Sequence, residues 1–135
     1  MTIDVFADIA CPWCYIAEKR LFTALSQSNY DATVRWRPFQ LQPGLPPEGR
    51  PWRSFAEAKF GGWEQALEAF RHVERAAQDD GIAFDFERIA TAANTTDAHR
   101  LILFARTHDR EWAMASALFR GYFTDGLDLS RETDL

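Results

Sequence analysis

The chain has 135 residues, the length of one ordinary domain, and 47% of them are hydrophobic and 14% aromatic. This composition excludes a disordered chain, and a net charge of −5 disfavours a protein that wraps nucleic acid, which normally carries a basic excess. The sequence shows no basic leader with a cleavage site and no apolar run of about 18 residues. We therefore expect no signal peptide, no membrane partner and a cytoplasmic location.

The N-terminal third of the sequence predicts a strand, a helix and a second strand. Residues 3–7 are mostly apolar, and residues 32–39 alternate between apolar and polar side chains with a period of two. Between them, Pro12 favours a helix start, and apolar residues recur at helical spacing as far as Ser26. A right-handed crossover would make the two strands parallel neighbours.

A segment rich in proline and glycine follows, and it predicts a loop between two parts of the chain. We divide the chain into the N-terminal half of an α/β domain (1–42), a linker loop (43–51) and a helical subdomain (52–135). The predicted helices of the second part cover residues 54–60, 63–77, 95–108 and 110–124, with a short extended piece at 82–86.

Three side chains carry more specific expectations in this part. Ser54 is a candidate cap for the first of these helices, and Phe104 is expected on the apolar face of the third. Ser130, followed by acidic residues, is typical of a helix cap and first turn, but the five residues that follow are too few for a stable helix.

Cys11 and Cys14 form a Cys-x-x-Cys motif at the junction of the first strand and helix. At a helix N-terminus, unpaired N–H groups and the positive end of the helix dipole favour a thiolate on Cys11. Cys14 follows one helical turn later, where it can close a disulfide and resolve a mixed disulfide formed at Cys11. Pro12 and Trp13 lie between the cysteines and are expected to tune the site. The motif predicts dithiol–disulfide exchange.

The alternative for the two cysteines is half of a zinc site. Structural zinc normally has four sulfur or nitrogen ligands. The remaining candidates are His72, His99 and His108, which are not paired at helical spacing. We therefore expect no metal, and we interpret His72 and His108 as solvated residues.

Four segments of the sequence together resemble the FrnE-like branch of the DsbA-like oxidoreductases. They are Asp8–Ile16 (DIACPWCYI), Arg37–Leu41 (RPFQL), Asn94–Leu101 (NTTDAHRL) and Phe119–Phe123 (FRGYF). The resemblance implies an α/β thioredoxin-like fold that is interrupted by an all-helical insertion. It also implies a protein that exchanges thiols and disulfides and requires no metal or organic cofactor. Relatives include hydroxychromene-carboxylate isomerases and kappa-class glutathione transferases, so glutathione is a candidate reductant or co-substrate. Those relatives typically carry serine where this chain has Cys11, which favours the dithiol interpretation.

The resemblance also implies strands and a cis-proline loop that the sequence does not show after Pro51. We therefore expect the C-terminal thioredoxin strands to be absent and the first strand to have an unpaired edge. A fragment of a longer protein is one interpretation. A homodimer in which a second copy covers that edge is the other.

Asn94, Asp97, His99 and Arg100 belong to one of the segments that carry the resemblance. They are candidates for lining a cleft above the cysteines, with Asn94 bonding to a substrate or to glutathione. In the alternative interpretation, Thr95 and its neighbours cap a helix, and His99 and Arg100 lie on its surface.

Trp13, Tyr15 and Phe39 are candidates for an apolar rim around the thiols, with a place in the core as the alternative for Tyr15. We predict an oxidoreductase that acts on a protein or small-molecule thiol or disulfide. Two alternatives stay open. One is a glutathione-dependent isomerase or transferase, and the other is a catalytically incompetent fragment that acts by oligomerisation or binding.

Overall fold

A computed structural model describes all 135 residues. Strand β1 (Thr2–Ala7) and strand β2 (Thr33–Pro38) pair in parallel, with Thr2 opposite Thr33. Helix α1 (Pro12–Ser26) connects them. The predicted strand–helix–strand order, the helix bounds and the parallel pairing are confirmed.

The rest of the chain is mainly helical. The helices are α2 (Trp52–Phe60), α3 (Trp63–Ala76), α4 (Thr96–Arg106) and α5 (Glu111–Arg120). A π-helical turn, Gly121–Asp125, extends α5 and ends at Gly126, whose φ of 74° lies in the left-handed region. The predicted helices are all present, with small differences at their ends. None of them combines the length and the apolar character needed to cross a bilayer.

Two short strands pair where the sequence pattern predicts only loop and helix. Strand β3 (Arg50–Pro51) runs antiparallel to strand β4 (Thr91–Ala92), and the N–H of Trp52 donates to the carbonyl of Ala90 at 2.9 Å. A ladder of two residues is too short to leave a periodic signal in the sequence. This pairing ties the predicted linker loop to the residues that precede α4.

One local expectation was wrong, and two other segments form irregular chain or turns. Ser54 does not cap α2, because the helix already begins at Trp52, and the Ser54 hydroxyl donates to the carbonyl of Pro51 at 3.1 Å. Residues 82–86 form no paired strand and lead into a 3₁₀ turn at Phe86–Arg88. No helix follows Ser130, where the chain forms only turns.

One hydrophobic core of 21 buried residues joins both predicted parts of the chain. Trp36 of β2 and Phe119 of α5 are fully buried, and the ring of Tyr15 from α1 stacks on Phe119 at a centroid distance of 5.0 Å. Ile102 of α4 is also fully buried, whereas Phe104 is 64% exposed and does not lie on the apolar face where it was expected. The helical part therefore packs directly on the β-strands, so the proposed boundary does not separate two cores.

Candidate active site

Cys11 caps helix α1 with its own sulfur. Its backbone is extended (φ −101°, ψ 111°), and its Sγ accepts the N–H of Cys14 at 3.3 Å. Pro12 takes the first helical position, where a missing N–H leaves no hydrogen bond unsatisfied. The N–H of Cys11 donates to the carbonyl of Asp8 at 3.2 Å. These contacts hold the sulfur at the positive end of the helix, where a thiolate is stabilised.

The two thiols differ in acidity. The Cys14 thiol donates a hydrogen bond to the Cys11 sulfur, and this contact, against the opposing effect of burial, lowers the pKa of Cys11 to about 7. The same hydrogen bond, reinforced by burial, raises the pKa of Cys14 above its ordinary value. Both cysteines are partly buried. Cys11 is therefore the more acidic thiol of the pair, and the raised pKa of Cys14 favours its protonated form.

A cavity of about 360 Å³ opens beside Cys11 and is lined mainly by apolar side chains. Its aromatic walls include Trp13 from α1, Trp52, Phe55 and Phe60 from α2, and Phe70 from α3. The polar lining groups are few. They are Asp8, Gln42, Lys59, His72 and Thr95. Ligand sites in proteins commonly have this make-up, with apolar walls and a few polar groups.

The expected apolar rim is only partly present. Pro12 and Trp13 line the cavity, and Trp13 is 45% exposed, with its ring 5.6 Å from that of His72. Tyr15 is 4% exposed and belongs to the core, as its alternative interpretation expected. Phe39 is 54% exposed and does not line the cavity.

Asn94, Asp97 and Arg100 lie outside the cavity lining. The Asn94 amide donates to the carbonyl of Leu45 at 2.8 Å, and its oxygen accepts the N–H of Thr96 at 2.9 Å. Asn94 thus supplies the hydrogen bond at the start of α4 that was expected from a threonine. Asp97 and Arg100 form an ion pair with each other at 3.1 Å on the exposed face of the helix.

His99 is buried, which corrects the expectation of a surface position. It is 5% exposed, its Nε2 lies 3.2 Å from Oδ1 of Asp8, and its Nδ1 accepts the indole N–H of Trp36 at 3.1 Å. His99 does not line the cavity, but its partner Asp8 does. His99 is therefore connected to the cavity beside the dithiol indirectly, through its contact with the Asp8 carboxylate.

Asp8 is the site residue that sequence reasoning missed. It is 3% exposed, and its Oδ2 accepts the N–H of Leu41 at 2.9 Å. Burial alone would raise the pKa of Asp8, but hydrogen bonds from His99, Leu41 and Thr95 outweigh burial and hold it below the usual range. One feature of the sequence could have identified Asp8, namely an acidic residue that lies between a predicted buried strand and the Cys-x-x-Cys motif. His72 was interpreted as a solvated residue, and the sequence did not predict its contact with Trp13.

A comparison with known protein families decides the identity of the fold. The DSBA-like thioredoxin domain matches residues 2–135 of this chain. The chain belongs to this family. The match confirms the predicted α/β thioredoxin-like fold and the family that the four sequence segments indicated.

Solved structures support the assignment of this DsbA-like chain. A probable DsbA oxidoreductase from Streptomyces coelicolor is 31% identical, with a TM-score of 0.82 over 96% of this chain and 55% of its own. The cytosolic disulfide reductase DsbM from Pseudomonas aeruginosa, solved with GSH, is 20% identical, with a TM-score of 0.63 over 98% of this chain and 60% of its own. A 2-hydroxychromene-2-carboxylate isomerase is 20% identical, with a TM-score of 0.57 over 98% of this chain and 61% of its own.

A curated sequence relative matches over the same region. The uncharacterized protein YwbO of Bacillus subtilis is 22% identical over 123 residues, which cover 91% of this chain and 56% of YwbO. The DsbA-like chain therefore spans somewhat more than half the length of the proteins it matches.

Proposed function

We propose that this DsbA-like chain exchanges dithiol and disulfide through Cys11 and Cys14. The observation that carries the proposal is the asymmetry of the pair. Cys11 caps α1 and its pKa is lowered to about 7, while the pKa of Cys14 is raised. A nucleophilic thiol is most effective when its pKa lies near the ambient pH. Cys11 then attacks the substrate, and Cys14 completes the exchange.

The proposed reaction has two steps. The Cys11 thiolate attacks one sulfur of a substrate disulfide, the substrate S–S bond breaks, and the departing sulfur leaves as a thiolate that takes a proton. The Cys14 sulfur, after losing its proton, then attacks Sγ of Cys11 and releases the second substrate thiol. The substrate gains two electrons and two protons, and Cys11 and Cys14 become a disulfide. The same steps in reverse oxidise a dithiol.

The cavity beside Cys11 supports a substrate that carries an apolar group close to its sulfur. Aromatic rings from α1, α2 and α3 form its walls, and a volume of about 360 Å³ accommodates a side chain or a small molecule. A protein or small-molecule disulfide with such a group would bury it there while its sulfur meets Cys11. The gain in affinity is proportional to the apolar area removed from water.

Glutathione is the proposed thiol that regenerates the dithiol, and the cytoplasm is the proposed location. Both follow from the likeness to the relative named as a cytosolic disulfide reductase and solved with GSH. In a compartment where glutathione keeps thiols reduced, a close cysteine pair is usually catalytic. The fold likeness to an isomerase keeps glutathione-dependent isomerisation as the second candidate.

A redox titration tests the proposed function. The protein is equilibrated in a series of glutathione buffers, trapped with an alkylating agent and weighed by mass spectrometry. We expect one reversible transition in which both cysteines become protected together with the loss of two hydrogens. Cys11→Ser and Cys14→Ser should each abolish that transition and the turnover of a disulfide substrate. Cysteines that alkylate independently at every buffer ratio would contradict the proposal, and saturable glutathione binding that survives Cys14→Ser would favour the isomerase.

A further inference from the structure

One face of α2 lines the cavity beside Cys11. Trp52, Phe55 and Lys59 follow one another at i, i+3 and i+7, a spacing that places side chains on the same side of a helix. The rings of Trp52 and Phe55 lie 6.2 Å apart, and Phe70 of α3 extends this aromatic wall at 5.6 Å from Trp52. Lys59 therefore brings a charged group to a wall that is otherwise aromatic.

Lys59 is exposed and has no acidic partner. It takes part in none of the ion pairs of the structure. Glu57, the acidic residue nearest to it in sequence, pairs with Arg53 at 3.0 Å. The Lys59 ammonium group lies 5.4 Å from the ring centre of Phe60 and 6.0 Å from that of Phe55, so it stays close to the aromatic wall. The protein thus places a positive charge at the cavity and does not neutralise it.

Asp8 is the one acidic side chain that lines the cavity, and its hydrogen bonds are already made. It is 3% exposed, its Oδ2 accepts the N–H of Leu41, and its Oδ1 lies 3.2 Å from Nε2 of His99. Asp8 belongs to the residues between β1 and α1, next to Cys11, whereas Lys59 belongs to the last turn of α2. The cavity therefore has a satisfied acidic group on the dithiol side and an unpaired cation on the helical side.

A second unused donor belongs to the same helix face. The indole N–H of Trp52 is buried and has no hydrogen-bond partner. An indole N–H and an ammonium group can donate but cannot accept, and a buried donor without an acceptor is destabilising. The unpaired polar groups of the α2 face therefore complement a ligand that brings oxygen acceptors.

The arrangement fits a substrate with three parts in a fixed order. Its sulfur meets Cys11, its apolar body fills the aromatic cavity of about 360 Å³, and an acidic group meets Lys59. A carboxylate suits the last position, because hydrogen bonds between an ammonium group and a carboxylate belong to the stronger, charge-assisted class. The apolar walls exclude water around such a pair and strengthen its attraction.

We propose that Lys59 is a specificity-determining residue that selects disulfides of bulky apolar carboxylic acids, with the acid group bound by Lys59 and the sulfur presented to Cys11. This inference rests on the proposed function, because the selected compound is the substrate of the Cys11–Cys14 exchange. The reduced dithiol supplies two electrons and two protons, the substrate S–S bond breaks, and two mercapto acids leave with their carboxylates unchanged. Lys59 binds the acid and takes no part in the electron transfer.

The first test measures binding without thiol chemistry. Naphthoate, an apolar acid that contains no sulfur, is titrated into the wild-type protein by isothermal titration calorimetry, and naphthamide serves as its uncharged analogue. Wild type should bind naphthoate more tightly than naphthamide, and Lys59→Gln should reduce this preference by about fivefold. Lys59→Arg should restore it, and added salt should weaken it in the wild type.

Lys19 provides the matched control, because it is the other lysine of the chain. It lies on α1 with its ammonium group 6.0 Å from the ring centre of Tyr15, and it does not line the cavity. Lys19→Gln removes the same charge as Lys59→Gln and should leave the preference for naphthoate at its wild-type value. An equal loss in both variants would show that net charge alone attracts the acid, and it would overturn the inference.

The second test measures selection during the reaction. The reduced protein is mixed with dithiobis(nitrobenzoate), an aromatic disulfide that carries carboxylates, or with dithiodipyridine, an aromatic disulfide without charge. A single turnover is followed by the absorbance of the released thiol. The ratio of the two rate constants, acid over uncharged, should fall by about fivefold in Lys59→Gln and stay at the wild-type value in Lys19→Gln. Using the ratio cancels any common effect of a variant on the dithiol.

The outcomes separate this inference from the proposed function. If the wild type reduces both disulfides but Lys59→Gln changes neither the preference for naphthoate nor the ratio of rates, the inference is overturned and the proposed function stands. Wild-type protein that binds naphthoate no more tightly than naphthamide would also overturn it. A wild type that reduces neither disulfide removes the proposed function, and the selection of substrates with it, even where Lys59-dependent binding of naphthoate persists.

Discussion

The backbone N–H of Cys14 lies 3.3 Å from the sulfur of Cys11, so the nucleophilic sulfur is also the side-chain cap of α1. A thiolate accepts this hydrogen bond more strongly than a thiol, because charge-assisted hydrogen bonds are the stronger class. The charge state of Cys11 is therefore coupled to the order of the first helical turn. The helix start and the chemistry depend on the same contact.

The acidity of Cys11 should depend on the donor at position 14. Alkylation of wild-type Cys11 should reach half its maximal rate near pH 7, because its pKa is lowered to about 7. Cys14→Ala removes the thiol donor, so the pKa should rise toward about 8.5 and the thiolate fraction at pH 7 should fall by roughly tenfold. Cys14→Ser keeps a hydroxyl donor and should lie between the two. The rate of iodoacetamide labelling against pH measures this, and an unshifted midpoint in Cys14→Ala would contradict it.

The aromatic cavity should select substrates with an apolar group. Phe55 lines the cavity and Phe39 does not, although Phe39 is 54% exposed and lies near the same end of the sheet. Phe55→Ala should reduce the rate with a benzyl disulfide by about tenfold and leave the rate with a small polar disulfide nearly unchanged. Phe39→Ala should affect neither substrate. An equal loss for both disulfides in Phe55→Ala would show that the cavity has no part in selection.

The shared core should make α5 essential to stability. Phe119 is fully buried and stacks on Tyr15, whereas Phe104 on α4 is 64% exposed. Phe119→Ala should lower the free energy of unfolding by about 3–5 kcal/mol, because it removes a large side chain and leaves a cavity. Phe104→Ala, the same chemical change, should lower it by no more than about 0.5 kcal/mol. Urea unfolding followed by circular dichroism distinguishes the two, and similar midpoints for both variants would refute the packing described here.

Acid should destabilise the protein through Glu111. Burial alone would raise the pKa of this carboxyl, but hydrogen bonds from Arg106 and from the N–H of Trp36 outweigh burial and lower it. A pKa that is lower in the folded state means that the stabilisation is complete above the unfolded value, about 4.3, and is lost as the pH falls through the folded value.

Glu111→Gln tests the contribution of this carboxylate. At pH 7 it should lower the free energy of unfolding by about 1–3 kcal/mol, because Arg106 loses a charged acceptor. As the pH falls through the lowered pKa of the folded state, the variant and the wild type should converge, since the wild-type carboxyl then becomes uncharged as well. A difference in unfolding free energy that stays constant from pH 7 to pH 3 would exclude this role. Denaturant unfolding at each pH provides the measurement.

Local patterns in the sequence determined the strand–helix–strand order, the position of the dithiol and the spans of the helices. Proline at the first helical position, alternation along β2 and glycine after α2 all act within a few residues of one another. For the same reason, the sequence identified Cys11 and Cys14 as a pair at the start of α1. Four segments of it were specific enough to indicate the family.

The tertiary structure alone decided which polar side chains surround that pair. Asp8 and His99 are 91 residues apart in sequence and meet because α4 packs on the strands of the sheet. Whether a histidine near a helix start faces water or the core depends on the partner that the helix buries, and helical periodicity does not name that partner. The same reason explains the burial of Tyr15, the exposure of Phe104 and the short β3–β4 ladder. Contacts between distant segments arise only when the chain has folded.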